Sequence, residues 1–236
     1  NYIFRVMQVS PSMIHPRYLN TACAVCGESC RFTIPEASGS VGSRDLDTRP
    51  AEPLRSTIYA WVKRCPSCGY CAPDPGQAPK RAADVVKLPR YRWQLDSPKF
   101  PKIANTFLCW SIIQEDLGAP ARAAWASLHA AWICDDEGED VPARICRKRA
   151  ADLLRRAWDQ GERLASQAGA EALLADLLRR AGRLREARAV VTETLEQHPQ
   201  PMIADIMRLQ ARLIAASDRD AHTVAEARRF RQQVPL

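Results

Sequence analysis

The sequence predicts a mainly α chain with a small β-containing module ahead of the helices, an α+β protein. Three observations predict it. Two Cys-x-x-Cys-Gly elements, Cys23-Ala-Val-Cys26-Gly27 and Cys65-Pro-Ser-Cys68-Gly69, lie in the first third of the 236 residues. Six prolines (Pro73, Pro75, Pro79, Pro89, Pro98 and Pro101) follow, a density that forbids a long helix. From residue 103 onward apolar side chains recur at steps of three and four with glycine stops, the period of amphipathic helices. The implied organisation is an N-terminal extension over 1–20, the cysteine module with an inserted loop over 21–72, a Pro-rich basic linker over 73–102, and a helical-repeat domain over 103–236. Within the extension, residues 1–12 read as foreign to the native chain, with Met13 as a candidate start.

Composition excludes several classes. Hydrophobic residues make up 46% and charged residues 26%, ordinary for a chain that buries a core, and 10 Gly with 17 Pro exclude collagen-like and low-complexity readings. The longest apolar stretch runs from Phe107 to Ile113, interrupted by Ser111, whereas a membrane span needs about 20 residues. No membrane partner is therefore expected. Neither is a secretory signal visible, so the expected compartment is the cytoplasm. The net charge of +7 is unevenly placed: residues 1–100 hold 14 Lys+Arg against 8 Asp+Glu, and the rest hold 20 against 19. Arg greatly outnumbers Lys and Ala is abundant, which a GC-rich genome produces by itself; the asymmetry between halves is not explained that way.

The two Cys-x-x-Cys-Gly elements have the spacing of zinc knuckles. Each places two thiolates on one side of a tight turn, and the following glycine accepts the positive φ that the turn requires. Cys23, Cys26, Cys65 and Cys68 together make the closed tetrahedral shell of a structural Zn²⁺, with no position left for a reactive water. Four thiolates also accept iron. The alternative, a disulfide framework, fits poorly with nine cysteines, an odd number, and with the expected compartment. The 38 residues between the knuckles exceed the spacing of compact four-cysteine sites, so an insertion must loop out. Cys30 and Cys71 trail the knuckles and read as small buried hydrophobes near the metal; as ligands they would form, with His15, an incomplete set.

Short strands are expected around the knuckles. Arg31 to Ile34 leaves the first. Ser56 to Lys63 enters the second, with Ile58, Ala60 and Val62 on one face and Tyr59, Trp61 and Lys63 on the other. Two knuckle hairpins clipped by one ion make a zinc ribbon, so small a sheet that metal binding should supply much of its folding free energy. In the insertion, Asp45 and Asp47 are flanked by Arg44 and Arg49. They could serve as an acid/base pair, the one enzymatic reading available. A surface ion-pair cluster holding the loop against the ribbon is the reading preferred here.

The linker contains Arg90-Tyr91-Arg92-Trp93 and Lys99-Phe100, with a short helix expected near 81–87. Guanidiniums for phosphates and rings for stacking make this the best nucleic-acid candidate in the chain. The competing reading, which we prefer, has Tyr91 and Trp93 packing the linker onto the helices while the arginines stay solvated.

In the helical half, Ile103, Phe107, Trp110, Ile113 and Leu117 form the first stripe, with Gly118 as its stop. Ala121, Ala124, Trp125, Leu128, Ala131 and Trp132 form the second. Residues 135–140 read as an acidic loop, and Pro142 opens a third helix. Residues 168–201 look like a tetratricopeptide repeat: small residues in the first helix, Gly182-Arg-Leu-Arg-Glu-Ala187 at the turn, and Pro199 and Pro201 at the end. Thr194 stands where that family usually has Ala. Residues 202–216 and 223–231 supply a last pair, the second opening with the capping box Thr223-Val-Ala-Glu226. About seven helices result, joined by short loops into a solenoid-like core.

The knuckle, the insertion, Trp61-Val-Lys-Arg-Cys-Pro-Ser-Cys-Gly-Tyr70, Arg122-Ala-Ala-Trp125 and Ala130-Ala-Trp132 together resemble the bacterial family catalogued as domain of unknown function 2225. The resemblance covers roughly residues 20–160, and its most specific piece is the Cys-Pro-x-Cys-Gly-Tyr element. It implies a zinc ribbon followed by tetratricopeptide-like helices and carries no assigned reaction. The insertion departs from many members in lacking an extra cysteine and paired tyrosines. The sequence as a whole thus points to a non-enzymatic, zinc-binding adaptor whose helical-repeat surface engages a protein or peptide. The alternative is a nucleic-acid-binding protein that uses the ribbon and residues 90–93.

Overall fold

The computed structural model describes residues 17–36, 39–162 and 167–233. Residues 1–12, Met13 and His15 lie outside them. Mainly helical, the chain carries its few strands at the N-terminal end. Strands β1 (Arg17–Ala22) and β2 (Ser29–Ile34) form an antiparallel hairpin in which Tyr18 faces Thr33 and Asn20 faces Arg31. On this twisted pair the Arg31 guanidinium reaches diagonally to lie 3.7 Å from the centre of the Tyr18 ring. A much shorter hairpin, β3 (Lys63–Arg64) with β4 (Cys71–Ala72), carries the second knuckle.

The strand expected over 56–63 is not formed; Arg55–Ala60 is a 3-10 helix, and only Lys63 belongs to a strand. The inside–outside pattern itself survives, since Ile58, Ala60 and Val62 are buried and Tyr59 is exposed. A run this short satisfies either period. Local side-chain bonds decide in favour of the turn: Ser56 N–H and Oγ–H both donate to Glu52 Oε2, and Thr57 Oγ–H donates to the Leu54 carbonyl.

The linker is not an extended bridge. It folds into α1 (Ala82–Val85) and α2 (Pro89–Leu95), the second opened by Pro89 at a position where no amide donor is needed. Seven helices follow: α3 (Lys102–Asp116), α4 (Pro120–Asp136), α5 (Asp140–Asp159), α6 (Gln167–Arg180), α7 (Leu184–Glu196), α8 (Pro201–Ala215) and α9 (Val224–Gln233). Gly118, Gly138 and Gly182 hold the turns after α3, α4 and α6 with φ between 69° and 81°. The expected acidic loop over 135–140 shrinks to 137–139, because Asp135 and Asp136 finish α4 and Asp140 opens α5. Each of these helices packs on its sequence neighbour, and α6 also touches α8. One continuous core runs from the knuckles through the helices, with Tyr70, Tyr91, Phe107 and Trp132 among its largest members. The α3–α4 contact is close because it is made by small residues: Ser111 Oγ–H donates to the Ala123 carbonyl and lies 3.0 Å from Ser127 Oγ.

Candidate metal centre and the charged cluster beside it

The two knuckles are built alike. In each, the carbonyl of the first cysteine accepts the amide of the glycine four residues on, at 2.7 Å for Cys23–Gly27 and 3.0 Å for Cys65–Gly69. Both glycines have φ of 77°. The chain brings the knuckles together so that Cys23 Sγ lies 3.7 Å from Cys68 Sγ and Cys26 Sγ lies 3.7 Å from Cys65 Sγ. All four sulfurs lie within 4.8 Å of one another. A tetrahedral ion with metal–sulfur bonds of about 2.3 Å has sulfur–sulfur edges of about 3.8 Å, so the four cysteines fit such an ion. No cysteine among the nine is in a disulfide.

Without an ion the sulfurs differ: burial pushes the thiols of Cys23 and Cys68 up, and Cys65 alone is lowered. Burial opposes the charge on Cys65, but the amides of Cys68 and Ser67 and the neighbouring thiols outweigh it and bring its thiol down to about 7. Cys23 and Cys65 are buried while Cys26 is exposed, so the site has an inner and an outer edge. Cys30 sits on the inner edge, 3.9 Å from Cys65 Sγ, and burial pushes its thiol up to about 11. Cys71 is as buried but turns away, donating to the Gly69 carbonyl at 3.3 Å. Both are buried, as expected from the sequence, and each thiol has a carbonyl acceptor.

Of the linker residues, Tyr91 and Trp93 part company. Tyr91 is fully buried; its hydroxyl donates to the Gly69 carbonyl at 2.9 Å and accepts from the Cys71 amide at 3.0 Å, locking α2 onto the second knuckle. Arg92 donates to the Cys68 carbonyl at 2.9 Å. Trp93 is 57% exposed, with Lys99 Nζ 5.5 Å from its ring centre, and Arg90 reaches Asp116 at 3.4 Å from an exposed position. Packing as expected for an anchor therefore holds for Tyr91 and not for Trp93.

Asp45 and Asp47 are buried, which corrects the expected surface cluster, and the loop is held against the helices rather than the ribbon. Asp47 Oδ2 accepts from Trp132 Nε1 at 2.8 Å and from Arg180 at 3.0 Å, with Arg147 at 3.8 Å. Arg49 reaches Asp136 at 2.5 Å, and Arg147 and Arg180 both hold Asp135. Burial pushes the Asp47 carboxyl up, aided by Asp176 and opposed by Arg180, Arg147 and the Trp132 indole. Burial also works against Asp135, yet its bond to Arg147 and the charges of Arg147, Arg180 and Arg49 hold it below the usual carboxylate range. Backbone bonds complete the docking: Leu46 N–H donates to the His222 carbonyl at 2.7 Å and Val224 N–H to the Arg44 carbonyl at 2.9 Å. Asp45, bonded to Arg55, bridges to Thr223.

Two features had no sequence signal beyond residue type, a half-buried histidine and a buried arginine. His129 is ringed by Trp132, Trp61, Phe107 and Trp125 with centroids 4.7–6.1 Å away, and burial lowers its imidazole to about 4. Arg179 joins α6 to α8 and the turn before α9, donating to Gln210 and Asp176 at 2.8 Å and to the carbonyls of Asp218 and Asp220. Asp176 and Arg179 stand three residues apart on α6, and the stacking of α8 over α6 buries the pair. No protein-family model, curated protein or solved structure matches the chain.

Proposed function

We propose that the chain is a non-enzymatic, zinc-binding adaptor of the cytoplasm. Its ribbon is fixed to tetratricopeptide-like helices, and these recognise a protein or peptide partner. The observation that carries the reading is the docking of residues 43–50. Helices α4, α5 and α6 and the start of α9 already hold an irregular, mixed-charge stretch of chain through main-chain hydrogen bonds and Arg–carboxylate pairs. These are the devices by which peptides are recognised. The contact of α6 with both α7 and α8 is the pattern of stacked helix pairs and supports the tetratricopeptide-like reading. Use of Asp45 and Asp47 as ion-pair partners of Arg55, Arg180 and Arg147 supports a structural role for them. The closed set of four cysteine sulfurs supports a structural Zn²⁺, and the Cys65-to-Tyr70 element supports placement with the domain of unknown function 2225 family.

The test is a peptide-library selection on the zinc-loaded chain. A shared motif should emerge among enriched peptides, with binding insensitive to Trp93→Ala. Failure to enrich any motif would defeat the adaptor reading. A second reading, nucleic-acid binding, is favoured by one observation, the exposed Trp93 beside Lys99, Arg90 and Arg92. If it is correct, single-stranded nucleic acid binds with an affinity that falls steeply as salt rises and drops in Trp93→Ala.

A further inference from the structure

The docked residues 43–50 leave part of the same surface open. A cavity of about 440 Å³ lies between α5, the end of α6 and the turn before α9. Its wall is charged: Asp135 comes from the end of α4, where Arg147 and Arg180 neutralise it, Asp140, Arg144 and Arg147 from α5, Arg180 from α6, and Arg219 and Asp220 from the turn. Arg147 and Arg180 form its floor, only 2% and 8% exposed. Their terminal nitrogens are committed to Asp135 and Asp47, yet the Nε–H of each is buried without an acceptor among the described residues. Arg144 and Arg219 make no ion pair among the described residues, and neither do Asp140 and Asp220. The turn that carries Arg219 is fixed, because Arg179 holds the carbonyls on both sides of it, Asp218 and Asp220.

Two lining guanidiniums without an ion pair, Arg144 and Arg219, over a floor of two buried ones call for a ligand that brings anionic oxygen. The two carboxylates at the rim oppose a free dianion and favour an anionic group that travels beside a cation. We propose that this cavity binds the carboxylate of an acidic residue in a mixed-charge peptide. Arg144 and Arg219 close on that carboxylate, and a neighbouring cationic side chain of the peptide meets Asp140 or Asp220. The inference rests on the peptide-recognition reading and names its subsite. The chain's own Leu46 and Asp47 are too deeply buried to be displaced, so the ligand enters beside them.

The experiment is an NMR titration of the zinc-loaded full chain with two short acetylated peptides, Gly-Asp-Lys-Gly and its Asn analogue. The Asp peptide is expected to bind at least about tenfold more tightly, the worth of charge-assisted hydrogen bonds to one carboxylate. Arg144→Ala with Arg219→Ala should abolish that ratio, whereas Arg188→Ala, an exposed arginine of α7, should preserve it. Should the double variant disturb α5, Arg219→Gln alone on the exposed turn is expected to lower the ratio. Absence of binding, equal binding of the two peptides, or a ratio that survives in the double variant overturns the proposal. Inorganic phosphate is the competing source of anionic oxygen; binding tighter than the Asp peptide would assign the cavity to a free anion and overturn it as well. Library-selected peptides that bind the double variant undiminished would remove this subsite and leave the adaptor reading standing.

Discussion

At the scale of single residues, the knuckles set the strictest demands. Gly69 has φ of 77°, and a Cβ there would come within 2.4 Å of Leu95 Cδ2. Gly69→Ala should therefore cost about 1–3 kcal/mol of zinc-loaded stability by denaturant titration. Gly27, with the same φ and open space around it, should cost less. Cys65→Ser removes one of four sulfurs, and elemental analysis should then find far less than the one equivalent of metal expected in the unsubstituted protein. Asp47→Ala leaves the buried Arg180 and Arg147 short of a counter-charge and should cost about 3–5 kcal/mol. Two titrations act on the acid side. Asp135 is held below its unfolded value, so its contribution is complete above pH of about 4 and is lost as pH falls through the lower folded value. His129 stays neutral down to about 4, while the unfolded chain takes up that proton near 6.5. Stability should thus decline as pH drops through that interval, and His129→Phe should flatten this limb of a pH–stability curve.

At the scale of elements, periodicity located the helices, and their number and most of their stops were legible. Gly118 and Gly182 gave ends because a left-handed residue closes a helix wherever it is placed in space. Residues 55–60 were misread because burial on alternate residues cannot separate strand from 3-10 helix over so few positions; bonds from Ser56 and Thr57 decide it. Prolines in the linker announced interruption, but Pro89 begins a helix as readily as it ends one, and Tyr91 needs that helix to reach Gly69 and Cys71. The inserted loop was the least legible element. Its partners Trp132, Arg147 and Arg180 are 85 or more residues away. Replacing 43–50 by a Gly/Ser stretch of equal length strips the counter-charges from that cluster. The thermal midpoint should fall by about 10 °C in a melt followed by circular dichroism.

At the scale of the whole molecule, ribbon and helices are one packed body. Tyr91 and Arg92 bind the second knuckle, Arg64 donates to the Leu95 carbonyl at 3.2 Å, and Trp61 stacks edge-on against His129 and Trp132. Removing the metal with a chelator should accordingly raise hydrogen exchange in β1–β4 and α2 and also lower the melting temperature of the helices. A helical transition that stays put after chelation would show the two parts to be energetically independent.

The sequence by itself determined the local matters: which cysteines pair with which glycines, where the helices from α3 onward run, and where the chain turns between them. Backbone φ preferences and side-chain periodicity act over a few residues and can be read in order. Only the tertiary structure decided that Asp47 lies buried on Trp132, that Arg179 spans two helices and a turn, and that four arginines meet at one cavity. Those facts depend on electrostatics and desolvation between groups scores of residues apart, and the burial that gives them their strength exists only after the helices have stacked.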